Sequence, residues 1–431
     1  MTPGARLKAL SEILKTVFET KRMPADSVLS NYVRNRRYIG SKDRRFLNDT
    51  LFALLRNRGR ILFLKEQFLG ERDIFEWEVI VYAMLSLNLS IANLMGLCDG
   101  APYHLTSLTA KEILYLKGMH KNLSLPPWAL LSYPESLENL LEEAFGPKTD
   151  ERFGAELIAF QKEAPLDLRV NTLLASPEEV LTHFALEGID AAQMPYSPIG
   201  IRLSKRTLLT QDSEFLKGSF EIQDEGSQLI TFLLDPNSGE QVLDFCAGAG
   251  GKTLAIAAQM KNKGTLIATD INAVRLQKAK ERLKRSGVHM VKTLILEDKW
   301  IKRQKDRFDR VLVDVPCSGS GTWRRNPDQK WKTTLVDVLE LQALQLDILK
   351  RASSVLRKEG TLVYATCSLF KLENEDVIHM FLNSPAGKDF SCVAASTILK
   401  GPEILFKGPY LRMSPYQTGT DGFFAAVLRK K

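Results

Sequence analysis

The sequence predicts an α/β protein with a mostly parallel sheet towards its C-terminus, preceded by an all-helical domain and a small α+β subdomain. Two observations predict this class. From about residue 222 onward, short apolar segments alternate with longer helical ones, as in a parallel sheet whose strands are joined by helices. Before that point, residues 1 to about 118 are helical almost throughout. Prolines break the pattern between residues 123 and 146 before a short helix resumes, and residues from about 150 to 222 mix helix and strand signals. A chain of 431 residues is too long for one ordinary core, so we expect three domains, 1–145, 146–221 and 222–431.

In the first of these domains, apolar side chains recur at helical spacing, beginning with Leu7, Leu10 and Leu14 on one face. The N-terminal segment is charged and helical, which is not the pattern of a signal peptide. The stretch from Val79 to Leu97 contains no charged residue and is long enough to span a bilayer. Because it carries serine and asparagine and no second such stretch follows, we expect one buried helix here and no membrane partner.

The remaining elements are predicted from apolar alternation and from glycine and proline breaks. In the small subdomain the predicted elements are strands 166–170 and 199–203 and helix 177–184. In residues 222–431 they are strands 241–245, 265–269, 291–296, 311–315, 361–366 and 423–428, and helices 252–260, 273–285 and 335–358. Gly360 is expected to end the last helix.

The composition favours a polyanionic partner. The formal net charge is +8 and the sequence pI is about 9.1. Two basic clusters stand out: Arg34, Arg36, Arg37, Lys42, Arg44 and Arg45, and then Lys299, Lys302, Arg303, Lys305, Arg307 and Arg310. Such clusters are often only solvated faces. Two of them together with the net charge indicate nucleic acid.

The five cysteines, at positions 98, 246, 317, 367 and 392, are odd in number and widely spaced. They form no C-x-x-C pair and no Cys/His spacing typical of a metal site, so no metal is expected. No disulfide framework is visible either, which fits a reducing, cytoplasmic location.

The first strand of the C-terminal domain leads into a glycine-rich turn, Cys246-Ala-Gly-Ala-Gly-Gly-Lys252. Such a turn between a strand and a helix can hold a nucleotide-like cofactor against the helix N-terminus. Asp270 ends the next predicted strand, where a carboxylate can accept from ribose hydroxyls. A P-loop is excluded, because that motif needs a glycine where Cys246 stands.

Carboxylates end four successive predicted strands, at Asp244, Asp270, Asp298 and Asp314. Each alone is more often a cap or a turn residue, but the series would repel a triphosphate. A cationic cofactor with a ribose and an adenine, such as S-adenosylmethionine, would suit such an edge.

Two further strands end in cysteines. The stretch Val311–Cys317 reads as a buried strand that stops at Asp314, followed by Pro316 and Cys317, and the strand 361–366 is followed by Cys367. A single cysteine is usually an apolar filler. Two thiols at the same edge of one sheet, beside a cofactor crevice, favour chemistry that uses both.

Six motifs carry a resemblance to a known family, and they are Gln223–Gln228, Cys246–Lys252, Asp314–Cys317, Arg324–Trp331, Thr366–Ser368 and Gly419–Phe424. On these the chain resembles the RsmB/Sun/NOL1/NOP2 family of RNA cytosine-C5 methyltransferases, most closely its bacterial members that act on 16S rRNA. The matches cover 222–431 densely. The first 220 residues resemble the family's NusB-like helical domain and small RNA-binding subdomain more loosely. One departure is Ala249, where many members have proline.

The resemblance implies a Rossmann-like class I methyltransferase domain that uses S-adenosylmethionine. It implies Cys367 as the nucleophile that adds to C6 of cytosine, Cys317 as the residue that assists elimination, and Asp314 as the group that holds the base. The implied cofactor residues are Cys246, Ala247, Gly248, Ala249, Gly250, Gly251, Lys252, Asp270 at the ribose, Asp298 near the adenine, and Asp314. The basic helical domain would grip the RNA backbone, and a monomer is expected.

Three alternatives stay open. In a DNA cytosine-C5 methyltransferase the Pro-Cys cysteine itself attacks, but the second thiol and the helical N-terminal domain disfavour that class. The same chemistry could act on tRNA or another RNA. A non-catalytic RNA-binding assembly factor is disfavoured, because both thiols and all the acidic strand ends are retained.

Overall fold

The computed structural model describes residues 1–21, 23–68, 70–119 and 124–431. The predicted helical domain 1–145 includes residues 22, 69 and 120–123, which lie outside the described residues. By packing, the chain forms two compact units, one of residues 1–162 and 323–334 and the other of residues 163–322 and 335–431. We call the first the helical unit and the second the sheet unit.

The α-helices before the first strand are α1 Pro3–Glu19, α2 Ala25–Arg34, α3 Ser41–Arg56, α4 Arg58–Glu66, α5 Ile74–Leu85, α6 Ile91–Leu97, α7 Ala110–Gly118, α8 Pro127–Leu130, α9 Glu138–Phe145 and α10 Glu151–Gln161. The later α-helices are α11 Pro177–Leu186, α12 Ser213–Lys217, α13 Glu225–Leu234, α14 Gly251–Gln259, α15 Ala273–Arg285, α16 Asp298–Arg303, α17 Pro327–Lys332, α18 Leu335–Ser353, α19 Glu375–Leu382, α20 Ala395–Ile398 and α21 Pro415–Thr418. Short 3-10 helices cover Glu135–Leu137, Ser320–Thr322, Lys371–Glu373, Pro385–Gly387 and Glu403–Leu405.

The strands are β1 Leu166–Val170, β2 Ala191–Gln193, β3 Gly200–Leu203, β4 Phe220–Ile222, β5 Gln241–Asp244, β6 Thr265–Asp270, β7 Val291–Ile295, β8 Phe308–Asp314, β9 Leu356–Thr366, β10 Phe390–Val393, β11 Phe406–Lys407, β12 Tyr410–Met413 and β13 Phe423–Lys430.

The helical unit is built around α1. Thr2 caps this helix by accepting a hydrogen bond from the Ala5 amide, and Pro3 occupies its first turn. Its apolar face is fully buried, with Leu10 and Leu14 at 0% exposure. Helices α3 and α5 pack against α1 and complete the core. The helical periodicity seen in the sequence is therefore confirmed, whereas the NusB-like identity of this unit stays a prediction.

Residues 323–334, which the sequence places far from the other helices of this unit, contact the end of α3. The Trp331 indole donates to the carbonyl of Leu55 at 2.7 Å, and the Lys330 ammonium donates to that of Arg56 at 3.0 Å. These side chains satisfy carbonyls at the C-terminus of α3 that have no partner within the helix. Burial, together with the charge of Arg56, lowers the pKa of Lys330 to about 7.

The sheet unit contains two sheets. The smaller has the strand order β2-β3-β1-β4 with antiparallel pairing and its own core around Leu168, Phe184 and Phe220. In the larger sheet the order is β11-β12-β13-β9-β8-β5-β6-β7, and β10 pairs with β13. Strands β5 to β9 pair in parallel, whereas β10 to β13 form an antiparallel edge. The predicted α/β fold with a Rossmann-like parallel sheet is confirmed.

Two helix predictions are wrong in extent. The predicted helix 335–358 ends at Ser353, because Leu356 begins β9 and pairs with Phe308 of β8. Val355 and Leu356 are fully buried in the sheet core, so their apolar character prolonged the helical pattern.

The expected single helix from Val79 to Leu97 is instead two helices, α5 and α6. Asn88 has a positive φ of 54°, and Ser90 starts α6 with a capping box that Asn93 completes. Among the described residues, no helix has both the length and the hydrophobicity to cross a bilayer.

Candidate active site

The carboxyl ends of the parallel strands meet at one edge of the large sheet, and a crevice opens there. The strand order reverses at β5, which lies between β6 and β8. Such a switch point is where open α/β sheets bind ligands. A cavity of about 490 Å³ lies at this edge. Its lining consists of Phe245, Cys246, Ala247, Gly248, Ala249, Asp270, Ile271, Arg275, Leu296, Asp314, Val315, Pro316, Cys317, Leu344, Ile348, Arg351 and Cys367.

The glycine turn after β5 is shaped by its backbone. Gly248 and Gly250 have positive φ angles of 55° and 80°, which glycine adopts without a steric penalty. The Gly250 amide donates to the Ala247 carbonyl at 2.9 Å and closes the turn. Asp270, at the end of β6, accepts from the Gly248 amide at 2.9 Å and from the Asn272 amide at 2.7 Å. The structure therefore brings Asp270 and the turn together, as the sequence predicts.

Two arginines hold the turn from outside it. Arg282 of α15 donates to the Ala249 carbonyl at 2.9 Å, and Arg169 of β1 donates to the Gly251 carbonyl at 2.7 Å. Burial lowers the pKa of Arg169 to about 10. Sequence reasoning missed both residues, because no local motif connects them to a turn that lies 33 and 82 positions away.

The expectation that Asp244 lines the crevice is wrong. Its side chain is 1% exposed and accepts a hydrogen bond from the Thr253 hydroxyl at 2.7 Å, beneath the glycine turn. Burial raises the pKa of Asp244 to about 7. Its other oxygen, Oδ1, has no hydrogen-bond partner among the described residues. Asp244 thus anchors the start of α14 and does not face a ligand.

Lys252 and Asp314 form an ion pair within this site. The Lys252 ammonium donates to Asp314 Oδ2 at 2.6 Å and lies 5.8 Å from the centre of the Phe423 ring. Burial lowers the pKa of Lys252, but the charge and hydrogen bond of Asp314, together with the charge of Cys367, outweigh it and raise the pKa. Lys252 is therefore a cation that is bound to the Asp314 carboxylate and lies within the electrostatic influence of Cys367.

The two predicted cysteines meet at the cavity. Their sulfur atoms lie 3.3 Å apart, although the residues are 50 positions apart in the chain. The hydrogen bond with Cys367 and burial raise the pKa of the Cys317 thiol well above its ordinary value, and the charges of Cys367 and Glu373 add to this. Ionisation of Cys317 is therefore disfavoured, and its sulfur shares a hydrogen bond with that of Cys367.

Glu373 joins the two cysteine loops. This fully buried carboxylate accepts from the Ser318 amide at 2.8 Å, from the Ser318 hydroxyl at 2.5 Å and from the Ser368 hydroxyl. Gln345 of α18 donates to it at 2.9 Å and also to the Pro316 carbonyl at 3.0 Å. Ser318 and Ser368, the residues that follow the two cysteines, are therefore both bound to Glu373. The sequence analysis did not identify Glu373.

A close approach of two glycines completes the cysteine loop. The Gly422 amide donates to the Gly321 carbonyl at 2.8 Å, and the Gly321 amide donates to the Cys367 carbonyl at 2.9 Å. A Cβ atom on Gly321 would lie 2.0 Å from the Gly422 oxygen. Only glycine fits at position 321 without moving the chain that carries Cys317.

Only some of the other predicted cofactor residues line the cavity. Cys246, Ala247, Gly248 and Ala249 line the cavity, and burial raises the pKa of Cys246. Gly250 and Gly251 are not among its lining residues. Asp298 begins α16, its side chain is 79% exposed, and it pairs with Arg351 at 2.6 Å. The structure therefore places Arg351, and not Asp298, on the cavity wall.

Several lining residues were not predicted. Ile271 and Leu296 directly follow β6 and β7, and an inspection of every position after a strand would have found them. Leu344, Ile348 and Arg351 lie on α18, where their apolar spacing indicated only a packing face. Within the described ranges, no cluster of three or more His, Cys, Asp or Glu residues could hold a metal ion.

Two family models match parts of this chain. A family model described as 16S rRNA methyltransferase RsmB/F matches residues 231–429. A second model, described as a ferredoxin-like domain of RsmF/B-like methyltransferases, matches residues 133–210.

Similar proteins extend the match over most of the chain. It is 34% identical over 302 residues to the probable ribosomal RNA small subunit methyltransferase B of Bacillus subtilis, covering 70% of this chain and 67% of that protein. It is 30% identical over 413 residues to the probable enzyme of the same name from Synechocystis, covering 90% and 91%. A solved structure of a protein called PH0851 matches with a TM-score of 0.79 at 25% identity, over 100% of this chain and 99% of that chain. These matches confirm the predicted methyltransferase fold and the predicted cofactor, S-adenosylmethionine.

Proposed function

Because the chain belongs to the RsmB/F family of 16S rRNA methyltransferases, we propose that it methylates C5 of a cytosine in 16S rRNA through a covalent protein–RNA intermediate. The observation that carries this proposal is the pair of thiols 3.3 Å apart beside the Lys252–Asp314 ion pair. A substrate in 16S rRNA also implies work in the cytoplasm.

The chemistry explains why a thiol is needed. C5 of cytosine is too weak a nucleophile to take a methyl group directly. When a thiolate adds to C6, the C5=C6 double bond is lost and C5 gains enamine character. C5 would then form the new bond to the methyl carbon, while the bond from that carbon to the donor's positively charged sulfur would break and leave its electron pair on the sulfur. Removal of the C5 proton and expulsion of the thiolate from C6 then restore the aromatic ring and release the product.

Cys367 is the better candidate for the attacking sulfur. A free thiol is only a few per cent ionised at neutral pH, so the site must stabilise the thiolate. The raised pKa of Cys317 disfavours a thiolate at that residue, whose sulfur lies 3.3 Å from that of Cys367. The Lys252 cation, whose pKa responds to the charge of Cys367, stabilises a negative sulfur at that position. Cys317 then assists the elimination that frees the product.

Asp314 is the candidate for orienting the base. Its side chain is 30% exposed at the cavity and keeps one oxygen, Oδ1, outside the bond to Lys252. A carboxylate oxygen can bind the N3/N4 edge of cytosine, and it would hold C6 towards the thiol. The cytosine must be flipped out of its stack, because its N3/N4 edge is occupied by base pairing in an RNA duplex.

The cavity also fits the methyl donor by its chemistry. S-adenosylmethionine supplies an electrophilic methyl group on a positively charged sulfur. The turn 246–252 offers backbone groups in an open cradle, where a Cβ on Gly248 would meet nothing within 4 Å. Asp270 and Asp314 both line the cavity, and we propose that Asp270 binds the ribose hydroxyls and that Asp314 faces the positive charge. Asp298 does not line the cavity, so we propose that it acts near the adenine indirectly, by binding Arg351 on the cavity wall.

The test uses single cysteine variants, 16S rRNA and methyl-labelled S-adenosylmethionine. Cys367→Ala should abolish label transfer and form no adduct. Cys317→Ala should accumulate a protein–RNA adduct that survives denaturing electrophoresis. Cys392→Ala, a half-buried cysteine of β10 outside the cavity, is the matched control and should behave as the unmodified protein.

Two results would contradict the proposal. An adduct with Cys367→Ala, or normal turnover by Cys317→Ala, would reverse the roles of the thiols. Mapping of methylated cytosines in rRNA from cells with and without the protein tests the base. If no cytosine changed, the C5 assignment would be wrong even if the RNA were methylated elsewhere.

A further inference from the structure

A second cavity, in the helical unit, has the features of a stacking site. Its volume is about 510 Å³, and its lining includes Tyr32, Arg36, Tyr38 and Tyr103. Three tyrosines and one guanidinium at one cavity provide flat π surfaces. Proteins bind the unpaired bases of single-stranded RNA on such surfaces.

Two of the tyrosines are displayed to solvent. Tyr38 is 66% exposed and Tyr103 is 81% exposed. A single exposed apolar ring on a surface needs no explanation. Two exposed rings that line one cavity are unusual for a surface that binds nothing.

Tyr103 is held in a strained conformation by an ordered loop. Its φ angle is +68°, a region that bulky residues rarely adopt. The next residue, His104, is fixed by Thr2 at 3.0 Å and Asp99 at 2.8 Å, and Leu105 is fully buried. The loop therefore presents the ring in a set position at a cost in backbone energy.

The charges around the cavity suit a nucleic acid. Arg36 stacks on the Tyr32 ring with its guanidinium carbon 3.6 Å from the ring centre. The one acidic side chain of the lining, Glu12, is engaged by the Tyr32 hydroxyl at 2.6 Å and by Arg36 at 3.7 Å. Arg37 lies between two lining residues and is exposed, so it can reach a phosphate beside a bound base.

We propose that this cavity binds an unpaired nucleobase of the RNA by stacking on Tyr38 and Tyr103, while Arg37 contacts the backbone. This inference rests on the proposed function, because it takes RNA as the ligand. It adds a site on the helical unit where base recognition, and not only backbone charge, contributes to binding.

The experiment measures fluorescence anisotropy of a labelled 12-nucleotide oligouridine with the full-length protein. Tyr103→Gly and Tyr38→Ala should each weaken binding by about tenfold, the effect of losing one stacked base. The salt dependence should stay unchanged, since no charge is removed, whereas Arg37→Gln should reduce its slope. Tyr103→Gly should fold normally, because glycine accepts the positive φ.

Controls separate this inference from the proposed function. Leu114→Ala removes another exposed apolar side chain of the helical unit, 72% exposed on α7, and should not change binding. A duplex RNA of equal length should bind Tyr103→Gly, Tyr38→Ala and Leu114→Ala alike, because its bases are not free to stack on the tyrosines. If both tyrosine variants bind oligouridine as tightly as Leu114→Ala does, the inference is wrong. It is also wrong if the tyrosine variants keep their affinity for oligouridine and lose affinity only for a protein partner. If the unmodified protein binds the RNA but transfers no methyl group, the proposed function fails instead.

Discussion

Asp244 and Glu373 are both buried carboxylates that anchor a loop of the active site, but they differ in their partners. Asp244 lies under the glycine turn with one donor, Thr253, and one oxygen that has no partner among the described residues. Glu373 lies under the cysteine loops and accepts from Ser318, Ser368 and Gln345. Asp244 therefore lacks hydrogen bonds that its carboxylate could accept, whereas both oxygens of Glu373 have their full number of donors.

The difference shows how each loop obtains its shape. A carboxylate accepts about four hydrogen bonds, and burial without them favours the neutral form. The pKa of Asp244 is accordingly raised to about 7. The glycine turn depends little on its anchor, because glycine φ angles and backbone hydrogen bonds define it. The cysteine loops have few backbone bonds to each other, so Glu373 determines the position of the thiols.

The largest expected effect comes from breaking the saturated anchor. Glu373→Ala removes the acceptor that four buried donor groups share and should destabilise the protein by about 5 kcal/mol, since each buried group that loses its partner costs about 1–3 kcal/mol. Denaturant unfolding measures this. Glu373→Gln, which keeps the volume, should fold and lower kcat more than KM because the sulfurs shift. Glu340→Ala, at an exposed position of α18, is the control. An unchanged kcat in Glu373→Gln would show that Glu373 does not position the thiols.

Replacing the unsatisfied anchor should instead increase stability at high pH. The folded-state pKa of Asp244 is about 7, above the unfolded value of 3.8. Between these pH values the unfolded chain has released the proton and the folded one has not, so stability falls as pH rises and levels off above 7. Asp244→Asn removes this loss and should gain up to about 4 kcal/mol at pH 8.

At pH 3.5 the same substitution should bring almost no gain, because Asp244 is then protonated in both states. Thermal unfolding of the two proteins across this range measures the difference. A gain that was equal at both pH values would mean that the effect is not ionisation of Asp244.

The smallest effect concerns the hydrogen bond of Asp244. Thr253→Val removes the donor that lowers the pKa of this carboxyl, so the pKa should rise further. The protein should lose about 1 kcal/mol at neutral pH, and the pH at which stability levels off should move upward. The same pH series of unfolding curves tests this. If that pH moved downward, Thr253 would not be stabilising the ionised form.

The sequence predicted those parts of the fold and site that rest on local patterns. Strand β1 and helix α15 have the predicted bounds, 166–170 and 273–285, because apolar periodicity and caps define them. The glycine turn and both cysteines were found from motifs at strand ends. The predicted helix 335–358 was too long, because the apolar Leu356 fits the apolar face of a helix as well as it fits a buried strand. Its pairing with Phe308 of β8, which the local sequence does not reveal, makes it part of a strand.

What could not be predicted is the support of the site. Arg169, Arg282 and Glu373 have no motif of their own, and their partners lie far away in the sequence. Asp244 and Asp270 occupy equivalent strand ends, yet only Asp270 reaches the cavity. The direction of a side chain at the end of a strand depends on the following turn, which residue type alone does not reveal.

The contact of Gly321 with Gly422 limits how this enzyme can be redesigned. The two loops touch through backbone, and a Cβ at either position would lie within 2.7 Å of the other glycine. An engineer who wishes to reshape the cavity beside Cys317 cannot use position 321, and a library that varies it would mostly return misfolded protein. Leu344 and Ile348, which line the cavity from a helix, are the positions where new side chains can enter.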